Sequence, residues 1–373
     1  MQERTWAEIS LDNIEFNYRS IRAHLKEGVG FLGVVKANAY GHGAVKVAQR
    51  LETLGCERLA VATLEEALEL REGGITTPIL ILGYTDPAFT MELIEHDITQ
   101  SVGDINAAEA MSKIAAENGK TLRIHLKTDS GMGRLGMICH DDEDPTESYL
   151  KIMNMPGFDT EGIFTHFAVS EILGEEYTFR QFEDFMALVD RLEKESGRCF
   201  RIKHCANSGA MINYPEMQLD MVRPGLMLYG MYPGDETGNI ELRPAMEAKS
   251  RIVNIKTMRA GYSISYGRTY TTSQPRKIAV IPMGYADGLH RVLSNKLVVS
   301  VNGCIAPQVG NICMDMCMLD VTDVTDPKVG DVVTVFGHDG DVLLPVEDVA
   351  EKAGTISYEM CCALSPRIPR IYV

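Results

Sequence analysis

The chain has 373 residues, long enough for two domains with separate cores. At 45% hydrophobic and 24% charged residues it has the composition of an ordinary globular protein, which excludes a disordered or fibrous one. A formal charge of −16, with no run rich in Lys and Arg, argues against nucleic acid as a partner.

The nine cysteines fall at irregular spacings without paired C-x-x-C knuckles and a histidine partner, so no metal site is expected. Free thiols in a reducing compartment are the simpler reading. No apolar run is long enough to span a bilayer, and the residues from Met1 to Arg4 do not open a secretory pattern. A cytoplasmic protein with no membrane partner is the expectation.

In chain order, Ile14, Tyr18, Ile21 and Leu25 recur at helical spacing behind Asp12, with Glu15 placed to complete a capping box. That predicts a helix lying against the domain whose strands begin at Phe31. From Phe31 to about Gly230 one rhythm repeats: a short β-branched-rich run, a polar turn, then an amphipathic stretch. The eight runs are Phe31 to Lys36, Arg58 to Ala62, Pro78 to Leu82, Ile98 to Val102, Leu122 to Lys127, Gly162 to His166, Arg201 to Cys205 and Asp220 to Arg223. Eight parallel strands alternating with helices predict an α/β fold, a (β/α)₈ TIM barrel over residues 10–240.

After Leu242 strand-like segments succeed one another across Gly, Pro and Asp turns with no crossover helices. They predict a mostly antiparallel β domain over 241–373, joined by a strand from residues 1–9, with one helix from about Val346 into the Tyr358 region and a last strand at Arg370 to Val373.

Chemistry in such barrels sits at the carboxyl ends of the strands, and these ends are unusually polar. The first delivers Lys36, where desolvation would lower the amine's pKa and suit it to attack an aldehyde; a lysine snorkelling to the rim is the alternative. The fifth leads into Gly131-Met132-Gly133-Arg134, a turn that would bring Arg134 back over the mouth. The sixth ends at His166, for which a core histidine bonded to backbone is the ordinary reading. The seventh delivers His204 to Gly209, and the eighth Val222-Arg223-Pro224-Gly225. Ser208 with the backbone of Gly225 and Leu226 fits a phosphate site after strands seven and eight, although Ser208 could equally be a helix N-cap. A strand-end lysine, a phosphate site and Arg223 between them suggest a phosphorylated aldehyde cofactor, and pyridoxal 5'-phosphate answers that description.

The residues from Trp6 to Val373 resemble the alanine racemases along essentially the whole chain. Val35-Lys36-Ala37-Asn38-Ala39-Tyr40-Gly41-His42-Gly43 looks like that family's cofactor-lysine signature. Supporting matches are Gly131 to Gly136, Thr165-His166-Phe167-Ala168, Ala206-Asn207-Ser208, Val222 to Gly225, Ser265-Tyr266-Gly267, Gly284 to Gly288 and Cys313-Met314-Asp315.

The resemblance implies two catalytic bases, Lys36 and, from the partner subunit of a homodimer with shared sites, Tyr266. It implies Tyr40, Ser208, Gly225 and Leu226 on the phosphate, Arg223 on the pyridine nitrogen, and Asn207 and His166 beside the cofactor. A phenol is a poor base at its usual pKa, so His166 and nearby arginines are candidates to support the Tyr266 phenolate. Arg134 and Met314 are implied at the substrate carboxylate, Tyr285 as a gate, and Lys127 as an N6-carboxylysine that holds Arg134, against the alternative of an unmodified lysine. The implied activity is interconversion of L-alanine and D-alanine, with D-alanine supplied for peptidoglycan.

One position departs from the family. Where many relatives carry a phosphate-contacting tyrosine, this chain reads Ser365-Pro366-Arg367, which opens serine or a broader range of small amino acids as substrates. Two rivals share the barrel, the first of them the β domain as well. A pyridoxal-phosphate decarboxylase would set an acid, not Arg223, against the pyridine nitrogen. A mere cofactor carrier would lack the β domain that brings Tyr266 and Met314.

Overall fold

The computed structural model describes residues 3–235 and 238–373. It divides into two compact units, one of Ile14–Ala39 and Ala44–Arg243, the other of Met1–Asn13, Tyr40–Gly43 and Pro244–Val373.

The first unit is built on β1 (Gly30–Val34), β2 (Arg58–Val61), β3 (Ile79–Ile81), β4 (Ile98–Val102), β5 (Leu122–Asp129), β6 (Phe158–Phe164), β7 (Ile202–His204) and β8 (Met221–Val222). From β1 to β7 each pairs in parallel with the next, and β8 pairs with β1. The ring closes between β7 and β8 through Asp220 N–H to Lys203 O at 3.1 Å and Arg223 N–H to Ala206 O at 2.9 Å. This is the expected (β/α)₈ barrel. Runs such as Ile79-Leu80-Ile81 are buried throughout, as strands covered on both faces require. The helices start where short polar side chains take up orphan N–H groups: Thr63 accepts from Glu66, Asp104 from Ala107 and Asn207 from Ala210.

The first helix, Leu11–His24, buries Ile14, Tyr18 and Ile21, and Tyr18 packs on Phe31 of β1 with ring centroids 4.6 Å apart. Its cap lies earlier than the sequence suggested. Ser10 Oγ accepts the Asn13 N–H, and Glu15 pairs with Arg19 and Arg50 rather than closing a capping box.

In the second unit a sheet runs Cys304–Pro307, Val298–Val301, Val332–Asp339, Met246–Arg251, Thr5–Ile9, Arg370–Tyr372, antiparallel except for the last pair. A three-stranded sheet of Asn254–Met258, Arg276–Ile281 and Cys317–Asp320 is antiparallel throughout. The single helix expected from Val346 is two, Val346–Ala353 and Ser357–Ala363. Gly354 separates them at φ 74°, its N–H closing on Ala350 and Glu351, a left-handed stop that glycine supplies at little cost. Among the described residues no helix is long and apolar enough to cross a membrane.

Candidate active site

β1 stops at Val34, and Lys36 opens a turn in place of ending a strand. Ala37, Asn38, Ala39 and Tyr40 all have φ near 53°, a left-handed turn that costs L-residues roughly 1–2 kcal/mol each. Two alanines keep that steric cost low, and asparagine tolerates the region. Hydrogen bonds over-determine the turn. The Ala37 N–H donates to Glu66 Oε1 at 2.6 Å while Glu66 Oε2 takes the Ala62 N–H at 2.7 Å, and Asn38 Oδ1 accepts from Ala44 at 2.7 Å. Strain held this firmly beside a lysine is the kind found at functional sites. Lys36 itself is half-buried.

The deeply buried amine is Lys127, in β5. Burial, aided by the charges of Arg223 and Arg134 and opposed by Asp129, pushes its ammonium down to about 7. Desolvation of this kind makes a lysine nitrogen available as a neutral amine near neutral pH. A cleft of about 270 Å³ is lined by Lys127, Arg134, Gln100 and Tyr84 among others.

Arg134 sits on a loop gathered around Asp129, whose carboxylate accepts the N–H groups of Gly131, Met132, Gly133 and Arg134. Burial raises the Asp129 pKa, and these four donors outweigh it and hold the carboxyl below its usual range. Gly136, at φ 104°, passes so near the Lys127 carbonyl that a Cβ would strike it.

Arg223 is buried and held by the protein at one end. Its Nη2 donates to Thr165 O and Cys205 O, both at 2.8 Å, and to His166 Nδ1 at 3.2 Å; Nη1 donates to His204 Nδ1 at 3.0 Å. No hydrogen bond from its Nε is formed among the described residues. Since a guanidinium only donates, His204 presents a bare Nδ1 to Nη1 and carries its proton on Nε2. Burial lowers His166 and His204 far below the usual histidine value, and the Arg223 charge adds to it. Phe164 lies parallel to His204 at 4.7 Å and takes Lys127 and Arg223 against its ring, at 5.4 and 5.6 Å.

Asn207, not Ser208, caps the helix Ser208–Asn213, which removes the N-cap reading of Ser208. The Ser208 hydroxyl instead accepts the Gly225 N–H at 3.1 Å.

The second unit holds Tyr40, Tyr266, Tyr285 and Met314. Tyr40 packs edge-on to Tyr358, centroids 6.2 Å apart. Gly41 and Gly43 beside it leave no room for a Cβ against the Cys361 carbonyl and the Tyr372 hydroxyl. Tyr266 is 72% exposed on a strained turn, with Ser265 at φ 65° and Arg268 at φ 52°. The turn is tied to the Asn311 loop: Asn311 Nδ2 donates to Tyr266 O at 2.7 Å and Ser265 Oγ to Asn311 O at 2.5 Å. That loop in turn receives the Tyr285 and Ala286 N–H groups on Cys313 O and Met314 O, both at 3.0 Å. Tyr266, Met314, Met316 and Tyr285 are all exposed, an apolar cluster of the kind that marks an interaction surface.

The barrel unit therefore gathers Lys127, His166, His204 and Arg223, with Ser208 and Gly225 bonded to each other. Sequence reasoning passed over Asp129, and over His125 and Glu161, which continue inward from His204. Their signal was present as polar residues inside otherwise apolar barrel strands.

The family model for the N-terminal domain of alanine racemase matches residues 9–233, and that for its C-terminal domain residues 245–372. Alanine racemase 2 of Caldanaerobacter subterraneus is 47% identical over 99% of this chain and 95% of its own, and the alanine racemase of Desulforamulus reducens is 45% identical over the full length of both. The solved alanine racemase of Clostridium difficile superposes with a TM-score of 0.94 at 41% identity, over 100% of this chain and 96% of that one. The alanine racemase structure from Bacillus anthracis with bound L-Ala-P gives 0.93 at 34% identity, with the same coverage. Fold, length and both domain matches agree: the chain belongs to the alanine racemase family of isomerases.

Proposed function

We propose that this protein interconverts L-alanine and D-alanine with pyridoxal 5'-phosphate, by proton removal and return at opposite faces of Cα. The observation that carries the reading is Arg223, anchored by four acceptors with Nε left over. A fixed cationic donor suits an unprotonated pyridine nitrogen, whereas a decarboxylase would need an acid there. The donor set fits the cofactor elsewhere too: Ser208 with the backbone of Gly225 and Leu226, and Tyr40, for the phosphate, and Lys36 for the aldehyde carbon. When bound, pyridoxal phosphate supplies the electron sink that acidifies Cα.

Lys36 then takes or returns the proton on one face, and Tyr266 of a second copy does so on the other. The exposed Tyr266, Met314 and Tyr285 support such a partner-facing role and hence a homodimer. His166 and nearby arginines support the Tyr266 phenolate. Arg134 binds the substrate carboxylate beside Met314, Lys127 as a carboxylysine holds Arg134, Tyr285 gates access, and Asn207 serves as the cap that seats Ser208. The barrel domain spans 10–240 and the β domain 241–373 with residues 1–9. A cytoplasmic role in supplying D-alanine for peptidoglycan is the consequence of that activity.

Purified protein should racemise L-alanine faster than L-serine with added cofactor, and borohydride should label the peptide containing Lys36. A label elsewhere, or Cα protons of alanine that never exchange with deuterium, would refute the reading.

A further inference from the structure

A single hydrogen-bonded file crosses the barrel interior from Arg223 at the end of β8 to Arg58 at the start of β2. Arg223 Nη1 meets His204 Nδ1 at 3.0 Å, His204 Nε2 meets His125 Nδ1 at 3.0 Å, His125 Nε2 meets Glu161 Oε2 at 3.0 Å, and Glu161 Oε1 meets Arg58 at 2.7 Å. Both imidazoles are fully buried. The backbone is shaped for it. β5 and β6 slip register between Ile124, paired with Thr160, and His125, paired with Gly162, so Glu161 is the extra residue of a bulge, a device that re-aims a side chain. Gly162 leaves the His125 ring room that a Cβ would take.

The file admits one arrangement of protons. Arg223 only donates and an ionised Glu161 only accepts, so each histidine must be neutral, bare at Nδ1 and protonated at Nε2. We propose that Glu161 is a positioning residue for Arg223, acting through His125 and His204: its carboxylate fixes the ring proton of both so that a bare nitrogen faces the guanidinium. Without that acceptor, a proton could move to Nδ1 of His204 and push two donors together. The inference rests on the function proposed above for its link to catalysis, not for the proton arrangement itself.

The test uses the full chain with pyridoxal phosphate, ¹⁵N-labelled at histidine and read at neutral pH. Both rings should show a bare Nδ1 and a protonated Nε2; a proton on either Nδ1 overturns the proposal. Glu161→Leu should shift the ring proton of His125 and lower kcat by about tenfold or more, as loss of an imidazole-orienting partner does elsewhere, with a smaller change in KM. Glu161→Gln keeps an acceptor oxygen but loses the charge, and should restore most of the rate and both tautomers. Equal losses in the two variants would make Glu161 a merely structural group and sink the idea. If Glu161→Leu does not fold, His125→Phe cuts the file one link on, and an unchanged His204 ring and rate would then overturn it. Wild-type protein with the stated tautomers but no racemisation would refute the function and leave the proton arrangement standing.

Discussion

The backbone N–H of Arg134 ends on Asp129 Oδ2 at 2.9 Å, the fourth donor on one carboxylate and the one that ties the arginine's own main chain to β5. Asp129→Ala should release residues 131–136. Charge-assisted hydrogen bonds contribute about 1.5–3 kcal/mol each at most, and the exposed loop recovers water, so a stability loss of about 2–3 kcal/mol in urea unfolding is expected. If Arg134 holds the substrate carboxylate, KM for alanine should rise more than kcat falls; unchanged KM would remove Arg134 from that role.

Tyr266→Phe removes one of the two proposed proton carriers while leaving the ring. Racemisation should fall by about 10²–10⁴-fold in both directions, the usual contribution of a positioned acid or base. Exchange of the Cα proton for deuterium should persist for one enantiomer only, through Lys36. Equal exchange from both would show that a single group serves both faces.

Lys127, with its ammonium at about 7, is substantially neutral at pH 8. A neutral amine can attack carbon dioxide: the N–C bond forms, an amine proton leaves to solvent, and a buried cation becomes an anion near Arg134. Native mass spectra should show one added CO₂ per chain, absent in Lys127→Ala. An unmodified mass in bicarbonate-equilibrated protein would leave the lysine a plain one.

Three histidines, His125 and His204 fully buried and His166 half-buried, shape the acid limb of stability. The folded values of His125, His166 and His204 are lowered, first by burial, so below the unfolded value of about 6.5 the unfolded chain binds protons that the native protein does not. Stability should fall as pH drops from 7 to 5, by up to about 1.4 kcal/mol per pH unit for each histidine. Glu161 acts in a lower window. Burial raises it, but His125 and Arg58 hold it down to about 2, so its contribution is present above roughly pH 4.3 and disappears as pH falls through 2. Urea midpoints at pH 7, 6 and 5 that do not move would contradict the neutral histidines.

Pro366 occupies the second position of a turn closed by Ile368 N–H to Ser365 O at 3.0 Å, where its fixed φ is favourable. Pro366→Tyr should cost about 0.4–1 kcal/mol of stability through the unfolded chain. If the missing tyrosine is what admits larger substrates, the same change should lower kcat/KM for serine relative to alanine, and an unaltered ratio would absolve this position.

Much of the barrel was legible because its strands are short apolar runs between polar turns, and Ile98–Val102 coincides with the run read from sequence. Strand ends were less so. Lys36 was placed on β1 because Val34-Val35 continues the apolar pattern, but a left-handed turn begins there, and no periodicity encodes four consecutive residues at positive φ. The break at Gly354 was hidden because apolar spacing resumes after it. Buried groups were the hardest to foresee: the depth of Lys127 and the partners of Glu161 depend on which strands meet and on a one-residue slip between them. Tyr266 carried no signal of its own, and only its likeness to relatives singled it out.

The glycine pair after the lysine turn has a consequence for biosynthesis. Gly41 and Gly43 fit against Cys361 and Tyr372, residues that leave the ribosome more than three hundred positions later. That loop therefore lacks its neighbours until translation is all but finished. Chains stalled before Ser357 should show that loop open to protease.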